Sequence, residues 1–513
     1  MSTPDAPGPP DPDPGPGPDP GPDPGPDPGP GPGAGSGSDC GPPGLVRRDV
    51  VLIVAVLMAG PPDEPFQPGP LERRWRTGGP REVASNAARR AAYTSTRLDP
   101  LLWGEGVRWH RELDGNASLP PSPARFELSA IELVRLDEAA RAALWDMGAP
   151  PDADGVAVLH GSLPPDPPGR LPKTLEECAD VDPHHGDGDQ RTWVSQVLPP
   201  GCRIAASERE AVHGTLVTAG RDGLPTRFDG DEHDGWEPAD QWLWAMQHAT
   251  CYPPLADALD QLQGRRLPLS GKVRGVAGLR GLTLVATHPD PGPGTSDNYY
   301  DGTSYQLATL HTDALALARL QQIVLAAFDD EVARIGAHEP HRRKVAQLER
   351  DLLVFRRSYW SAGFGRQRPA DAVTRLWCQD AGLPEAVQGL VDDLAELSRQ
   401  VQAAETETTN AILGLLAAVG LPLTVGLAVW QGLPDAGAAS LARMLAVTAV
   451  ATAVLVTFFP GLRRLFVDLF RRGGGRGGLR GGRRGGLRGG RRGGLRGGRR
   501  GGLRSGLRRD GDR

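Results

Sequence analysis

The sequence is poor in cysteine and in aromatic residues, and it lacks the short motifs that mark common catalytic sites. Its 513 residues include 5 cysteines, widely spaced and without a C-x-x-C pair, so neither a disulfide framework nor a zinc site is indicated. It contains no glycine-rich phosphate loop, H-E-x-x-H helix or nucleophile elbow. We therefore predict a chain without catalytic residues or a cofactor, whose reduced thiols fit the cytoplasm.

Proline and glycine are abundant, and both ends of the chain are biased in composition. Residues 1–44 repeat Asp-Pro-Gly-Pro, which predicts a disordered acidic leader. Residues 460–513 form a Gly/Arg-rich tail, in which residues 471–513 hold sixteen arginines and two aspartates. Because the whole chain has a net charge of -6, the remainder is strongly acidic. This division indicates an acidic body and a basic, disordered tail with different partners.

Residues 45–288 have the mixed patterning of an α+β soluble domain. Val50 to Gly60 is an apolar, β-branched run that predicts a buried strand. The basic pair Arg47-Arg48 before it leaves a signal peptide as the alternative, which the preceding leader disfavours. Further elements are predicted as helices at 82–93, 137–147 and 239–262, the last broken at Pro253-Pro254, and as strands at 124–136, 155–159 and 282–286.

A linker at 289–303 separates this domain from a predicted all-α stalk at 304–410. Apolar residues recur every three or four positions, which predicts helices at 304–335, 341–360, 369–381 and from Pro384 onward. The last of these has an apolar stripe from Val387 to Ala404, and no proline or glycine interrupts 390–412. We therefore expect one continuous, coiled-coil-like stalk that passes from the cytoplasm into the bilayer and forms a homo-oligomer.

Two long apolar runs follow at 411–433 and 441–459. Each is long enough to cross a bilayer as a helix, so a two-helix transmembrane hairpin is predicted, with two buried helices of a globular domain as the alternative. Basic residues follow the second run, and the loop between the runs has none. The positive-inside rule then predicts a multi-pass protein of the cell membrane with both termini in the cytoplasm.

Pro422-Leu423-Thr424 in the first run, with Trp430 near its end, resembles the first transmembrane helix of the CorA-like magnesium transporter superfamily. The resemblance covers roughly 304–459 and implies a helical stalk leading into two spans and, as the alternative function, a divalent-cation channel or transporter. That family ends this helix with Gly-Met-Asn, whereas this chain has Trp430-Gln431-Gly432-Leu433. The overall layout also resembles the caspase- and TPR-repeat-associated membrane proteins of bacterial conflict systems.

Polar residues just before and within the first run are the candidate ion-entry or pore residues. In an oligomer, carboxylates and hydroxyls at this position would form a ring that attracts cations. In a monomer or dimer they would mark the water boundary. The candidates are Glu405, Glu407, Asn410, Pro422 and Thr424.

Two further groups of residues are weighed for chemistry. His184, His185 and Asp187 lie in one acidic loop and are candidate ligands of a divalent cation, with a solvated loop as the alternative. His160 follows a predicted strand, and Cys202 lies 42 residues later. These are the elements of a caspase-like dyad, but the surrounding residues favour a loop histidine and an unreactive thiol.

The arginines after the second run are candidates for binding polyanions: Arg463, Arg464, Arg471 and Arg472. Anionic lipid is favoured over nucleic acid because no aromatic residues are interleaved for base stacking. The sequence thus predicts a membrane-anchored, oligomeric, non-enzymatic protein. Its cytoplasmic domain would sense a signal or bind a protein partner and would be coupled through the stalk to the membrane helices.

Overall fold

The computed structural model divides into two units by internal packing, Met1–Ala395 and Glu396–Arg513. The first contains a large sheet with helices on both faces, and the second is helical where it is described. The structure describes residues 45–76, 83–85, 96, 98–113, 126–147, 151–164, 170–182, 193–228, 235–255, 258–293, 299–336, 342–360, 368–431, 439, 442–443 and 445–450.

Eleven strands are present in the described part of the chain. They are β1 (Leu45–Met58), β2 (Gln67–Pro68), β3 (Arg74–Arg76), β4 (Val83–Ser85), β5 (Arg108–Glu112), β6 (Glu127–Arg135), β7 (Gly155–Ser162), β8 (Cys202–Ile204), β9 (Val212–Ala219), β10 (Val273–Gly278) and β11 (Gly281–Ala286). The main sheet has the order β10-β11-β9-β1-β7-β6-β5-β2, with β8 also paired to β1. Its pairs are antiparallel except β9 with β11. Strands β3 and β4 form a separate hairpin.

The described part of the chain contains eleven α-helices. They are α1 (Asp99–Leu102), α2 (Glu138–Asp146), α3 (Leu171–Ala179), α4 (Trp193–Val197), α5 (Pro238–Gln247), α6 (Ala258–Gly264), α7 (Tyr299–Gln306), α8 (Thr312–Gly336), α9 (Arg342–Ser358), α10 (Arg368–Asp380) and α11 (Leu383–Gln431). A π-helical segment, Leu307–His311, joins α7 to α8.

Strand β1 is at the centre of the sheet because its side chains from Val50 to Met58 are apolar on both faces. Val50, Leu52 and Val54 belong to a core cluster with side chains of α3, α4, α5 and α6. The alternate residues, such as Val51 and Ile53, are equally buried and face the side that α8 covers. A strand that is buried on both faces reads as a continuous apolar run, which is the pattern the sequence has here.

Most elements predicted from periodicity within residues 45–395 are confirmed. The buried strand at 50–60 is β1, the strands at 124–136, 155–159 and 282–286 are β6, β7 and β11, and the helix at 137–147 is α2. The helical stretch at 239–262 is α5 and α6, and the long helix at 304–335 is α7, the π segment and α8. The helix predicted at 82–93 is wrong where it is described, since Val83–Ser85 is strand β4.

The predicted transmembrane hairpin is wrong. Across the described residues, no helix combines the length and the apolar character needed to span a bilayer. Residues 411–431 of the first run form the end of α11, which continues from a first half that is rich in charged side chains. Of the run at 441–459, only 442–443 and 445–450 are described.

Three further statements depended on that hairpin and are corrected with it. The fold class is an α/β sheet domain with a helical C-terminal region, without the two-helix transmembrane hairpin. The assignment as a transmembrane protein is not supported by the helices that the structure describes. The predicted multi-pass localisation in the cell membrane is contradicted by the same finding.

Candidate ligand-binding site

A gap in the pairing of β1 creates the most distinctive site in the sheet domain. On one side of β1, the pairing with β9 stops at Ile53, opposite the first residue of β9, and the pairing with β8 starts at Val56, opposite the last residue of β8. On that side the backbone groups of Ala55 have no strand partner and bond to the segment that follows β8. The Ala55 N–H donates to Glu208 Oε1 at 3.3 Å, and the Ala55 carbonyl accepts from the Ala205 N–H at 3.0 Å. The segment after β8 thus satisfies the backbone where the strands do not.

A pocket opens beside this gap, with a cavity volume of about 320 Å³. That volume is at the lower end of the range for small-molecule sites, about 300–1,000 Å³. The walls come from β1, the end of α2 and the loop after it, the segment after β8, and one face of α8. The lining residues are Ala55, Leu144, Met147, Pro151, Asp152, Ala153, Ala205, Ser207, Arg319, Gln322, Ile323, Ala326, Ala327, Asp330, Glu331 and Arg334.

Arg319 of α8 connects the pocket to the gap in β1. Its Nη2 donates to Glu208 Oε2, and its Nη1 donates to Gln322 Oε1. Burial raises the pKa of the Glu208 carboxyl, and the ion pair with Arg319 opposes that shift. Glu208 therefore bonds the open backbone of β1 with one oxygen and anchors α8 with the other.

Asp152 provides a fixed carboxylate at the rim. Its two oxygens accept from the backbone N–H groups of Ala206 and Ser207 at 2.8 and 2.9 Å. Burial opposes ionisation, but the hydrogen bonds from Ser207 and Ala206, with a smaller contribution from Arg203, hold the pKa of Asp152 below its ordinary value. The group is therefore ionised at neutral pH. A carboxylate has about four acceptor positions, so Asp152 retains capacity for a ligand.

The last two turns of α8 complete the charged lining. Arg334 is paired with Glu331 of the same helix, and Asp330 beside them is exposed. Most of the remaining lining side chains are apolar, including Leu144, Met147 and Ile323. An apolar cavity with a few charged groups at its edge is the usual composition of a small-molecule site.

A second charged cluster lies between the sheet and the start of α8 and is closed to solvent. Arg108 Nε donates to Glu132 Oε2, and its Nη1 donates to Asp313 Oδ1, each at 2.7 Å. Glu132 also accepts from His160 Nε2 at 2.8 Å and from the Leu71 backbone at 3.0 Å. Burial opposes the charge on Arg108, but Asp313 and Glu132 outweigh it and raise its pKa. We interpret this cluster as the framework that fixes α8 on the sheet.

The π-helical segment immediately precedes Asp313. Such segments are rare and place side chains where a regular helix would not. Here the hydroxyl groups of Thr309 and Thr312 donate to the carbonyls of Tyr305 and Leu307. These hydrogen bonds satisfy buried polar groups inside the helix, and the Asp313 carboxylate forms an ion pair with Arg108 on β5.

His160 and Cys202 are too far apart to act as a dyad. His160 pairs with Val51 of β1, and Cys202 pairs with Met58. Seven residues of strand separate those positions, which is about 23 Å. Burial lowers the pKa of His160 to about 4 and raises the pKa of Cys202 to about 12. The histidine is held by Glu132 and the thiol stays protonated at neutral pH.

The structure does not bring the other predicted site residues together. His184, His185 and Asp187 lie outside the described residues, as do Arg463, Arg464, Arg471 and Arg472. Asp182, at the described edge of the same loop, is paired with Arg209 at 3.1 Å. Over the described residues, no group of three or more His, Cys, Asp and Glu side chains could hold a metal ion. Cation binding by the loop and polyanion binding by the tail stay predictions.

The pore candidates all lie on α11. Glu405, Glu407 and Asn410 are exposed. The Thr424 hydroxyl bonds to its own helix, donating to the carbonyls of Gly420 and Leu421. Pro422 is within the helix. Nothing in the structure tests a ring of these residues, so it also stays a prediction.

Sequence reasoning missed the pocket because its charged residues are distant in the chain. Asp152, Glu208 and Arg319 belong to three separate segments with no common spacing. The available signal was a single arginine in the otherwise apolar stretch from Ala314 to Leu320. A charge on an apolar face of a helix implies a partner.

No protein-family model matches this chain, and neither a characterised protein nor a solved structure shows significant similarity to it.

Proposed function

We propose that the sheet domain is a non-enzymatic sensing module that binds a small molecule in the pocket beside β1. The observation that carries the proposal is the pocket itself: a cavity of about 320 Å³ between α8 and the sheet, apolar inside and charged at its rim. It adjoins the place where Glu208 joins β1 to α8. A ligand there would contact the sheet, α8 and the Asp152 loop together.

The lining favours binding over catalysis. The described lining residues include no histidine or cysteine, and the hydroxyl of their single serine, Ser207, bonds to Asp152. Arg319 and Arg334 are each engaged by a carboxylate. A nucleophile within reach of a base is the geometry that covalent catalysis needs, and the pocket offers none. Its groups are suited to orienting a ligand.

The test is to fill the pocket with a side chain. Ala326 lines the pocket, and Ala326→Trp would occupy much of the cavity. Ala333 is an exposed alanine on the same helix that does not line it, so Ala333→Trp is the matched control. A library of fragments of about 8–14 heavy atoms would be screened against the full chain by saturation-transfer NMR. We expect hits that Ala326→Trp loses and Ala333→Trp keeps. Equal hit lists for the parent and both variants would refute the proposal.

We also propose that the chain self-associates through the end of α11. Its residues from 411 to 431 include no charged side chain. Large apolar side chains are exposed there: Ile412, Leu413, Leu416, Leu421, Leu423, Val425 and Leu427. Burying one leucine stabilises by about 1.5–3 kcal/mol, and a second copy offers the same surface in return. Light scattering should give a mass above one chain that Leu416→Glu with Leu423→Glu reduces. A monomer at all concentrations would contradict this.

A further inference from the structure

We infer that the pocket beside β1 selects an organic cation, an amine attached to a small apolar body. This inference rests on the proposed function, since it names the ligand class for the same pocket. It is carried by the balance of charges around the cavity and by the carboxylates that no guanidinium group of the pocket neutralises.

Carboxylates outnumber guanidinium groups around the pocket. Arg319 is paired with Glu208, and Arg334 is paired with Glu331. The charges within these two ion pairs cancel, so the carboxylates of Asp152 and Asp330 are left without a paired guanidinium group in the pocket. Arg203, which contributes to the ionisation of Asp152 from outside the lining, offsets part of the excess. The cavity thus has residual negative charge, which attracts a cation and repels an anion.

The two excess carboxylates lie on separate walls. Asp152 is held by the segment after β8 through its bonds from Ala206 and Ser207. Asp330 projects from α8, near the helix end that Arg334 and Glu331 occupy. Each ammonium group has three donors and no acceptor, so it can satisfy a carboxylate that already accepts from protein donors. A ligand carboxylate would meet like charge at both walls.

The inner lining of the pocket determines the size and polarity of the part of the ligand that lies beyond its amine. Leu144, Met147 and Ile323 provide apolar walls, and Ala326 and Ala327 leave room beside α8. Methionine is unbranched and adapts to ligand shape, which suits a flexible apolar body. We therefore expect an alkyl or aromatic group of about ten heavy atoms, since a cavity of this volume encloses a ligand of that size.

Three probes with one body and different head groups test the charge preference. They are phenylpropylamine, phenylpropionate and phenylpropanol, titrated into the full chain by calorimetry at neutral pH and low salt. We expect the amine to bind about fivefold more tightly than the alcohol, with the carboxylate weakest, because opposite charges attract weakly but measurably at a partly exposed site. Added salt should reduce the difference.

Asp330→Asn removes one excess carboxylate, and Asp329→Asn is the matched control. Both aspartates are exposed neighbours on α8, and of the two only Asp330 lines the pocket. We expect Asp330→Asn to weaken amine binding about twofold to fivefold and to leave the alcohol unchanged. Asp329→Asn should leave both unchanged. A circular dichroism spectrum identical to that of the parent would verify the fold of each variant.

The outcomes separate this inference from the proposal beneath it. If the carboxylate binds as tightly as the amine, or Asp330→Asn has no more effect than Asp329→Asn, the cation preference is overturned while the pocket remains a binding site. If Ala326→Trp abolishes no binding of the probes or of the library fragments, the cation preference and the proposed binding function are both refuted. Library hits enriched in amines and lost in Ala326→Trp would support both.

Discussion

Acid sensitivity of the sheet domain follows from three histidines that are fully enclosed. Burial lowers the pKa of His160 to about 4, of His213 to about 3 and of His311 to about 4, from an ordinary value of 6.5. In the unfolded chain these groups bind protons below pH 6.5, whereas in the folded domain they stay neutral. The stability they contribute is therefore present above pH 6.5 and is lost as the pH falls toward 4.

The magnitude is large compared with the stability of a domain. One pKa unit corresponds to about 1.4 kcal/mol, so three such groups remove about 4 kcal/mol for each pH unit below 6.5. Domains are stable by about 5–15 kcal/mol, so the loss is comparable with the whole stability of a domain by about pH 4. Burial also raises the pKa values of Asp49 and Glu208. These two carboxyls act with the opposite sign and reduce the total slope, so a difference between variants is the sharper observable.

His311→Gln removes one titrating group from this set. His288 is exposed, and His288→Gln is the matched control. Urea unfolding of the full chain would be followed by tryptophan fluorescence between about pH 7 and pH 5, a window above the carboxyl range, with the fully buried Trp242 and Trp377 among the reporters. We expect the pH slope of the unfolding free energy to fall by about 1 kcal/mol per unit in His311→Gln only. Equal slopes in the parent and both variants would refute the reasoning.

Three further predictions concern the framework. Arg108→Met leaves buried carboxylates without their cation and should cost about 3–5 kcal/mol of unfolding free energy in urea titrations; a loss under 1 kcal/mol would contradict the buried network. Alkylation at about pH 8 should modify exposed Cys251 well before Cys202, whose pKa burial raises to about 12; mass spectrometry showing equal rates would be inconsistent with the fold. Gly281→Ala should destabilise by about 2–4 kcal/mol, because Gly281 has a φ of +133° and a Cβ there would overlap the His213 carbonyl; an unchanged melting temperature would disprove that contact.

Much of the sheet domain could be predicted because its elements are defined by local periodicity. β1 is apolar at every position from Val50 to Met58, and α8 repeats apolar residues at helical spacing. These patterns indicate which face of a helix or strand is buried. That information can be read without knowing the order of the strands in the sheet. The order itself, with β1 between β7 and β9, could not be derived, because pairing depends on contacts between residues about a hundred or more positions apart.

The transmembrane prediction failed for a related reason. An apolar window reports the composition of a segment but not the bounds of the helix that contains it. Residues 411–431 of the first apolar run are the end of a 49-residue helix that begins at Leu383. The continuity of the amphipathic stripe with the apolar run, expected because no proline or glycine interrupts 390–412, is confirmed. The membrane span inferred from the same run is wrong, since no described helix is long and apolar enough to cross a bilayer.

The candidate site depends on a place where regular structure is interrupted. Ala55 is apolar and lies within an apolar strand, so its sequence environment gives no sign of an unpaired backbone group. The group arises because β8 ends opposite Val56 and β9 begins opposite Ile53 on the same side of β1. Glu208 fills that gap, but as a buried carboxylate it needs a cation, and Arg319 is the cation that α8 supplies. A backbone interruption thus requires a carboxylate, the carboxylate requires an arginine in an apolar helix, and the space between that helix and the strand is the pocket.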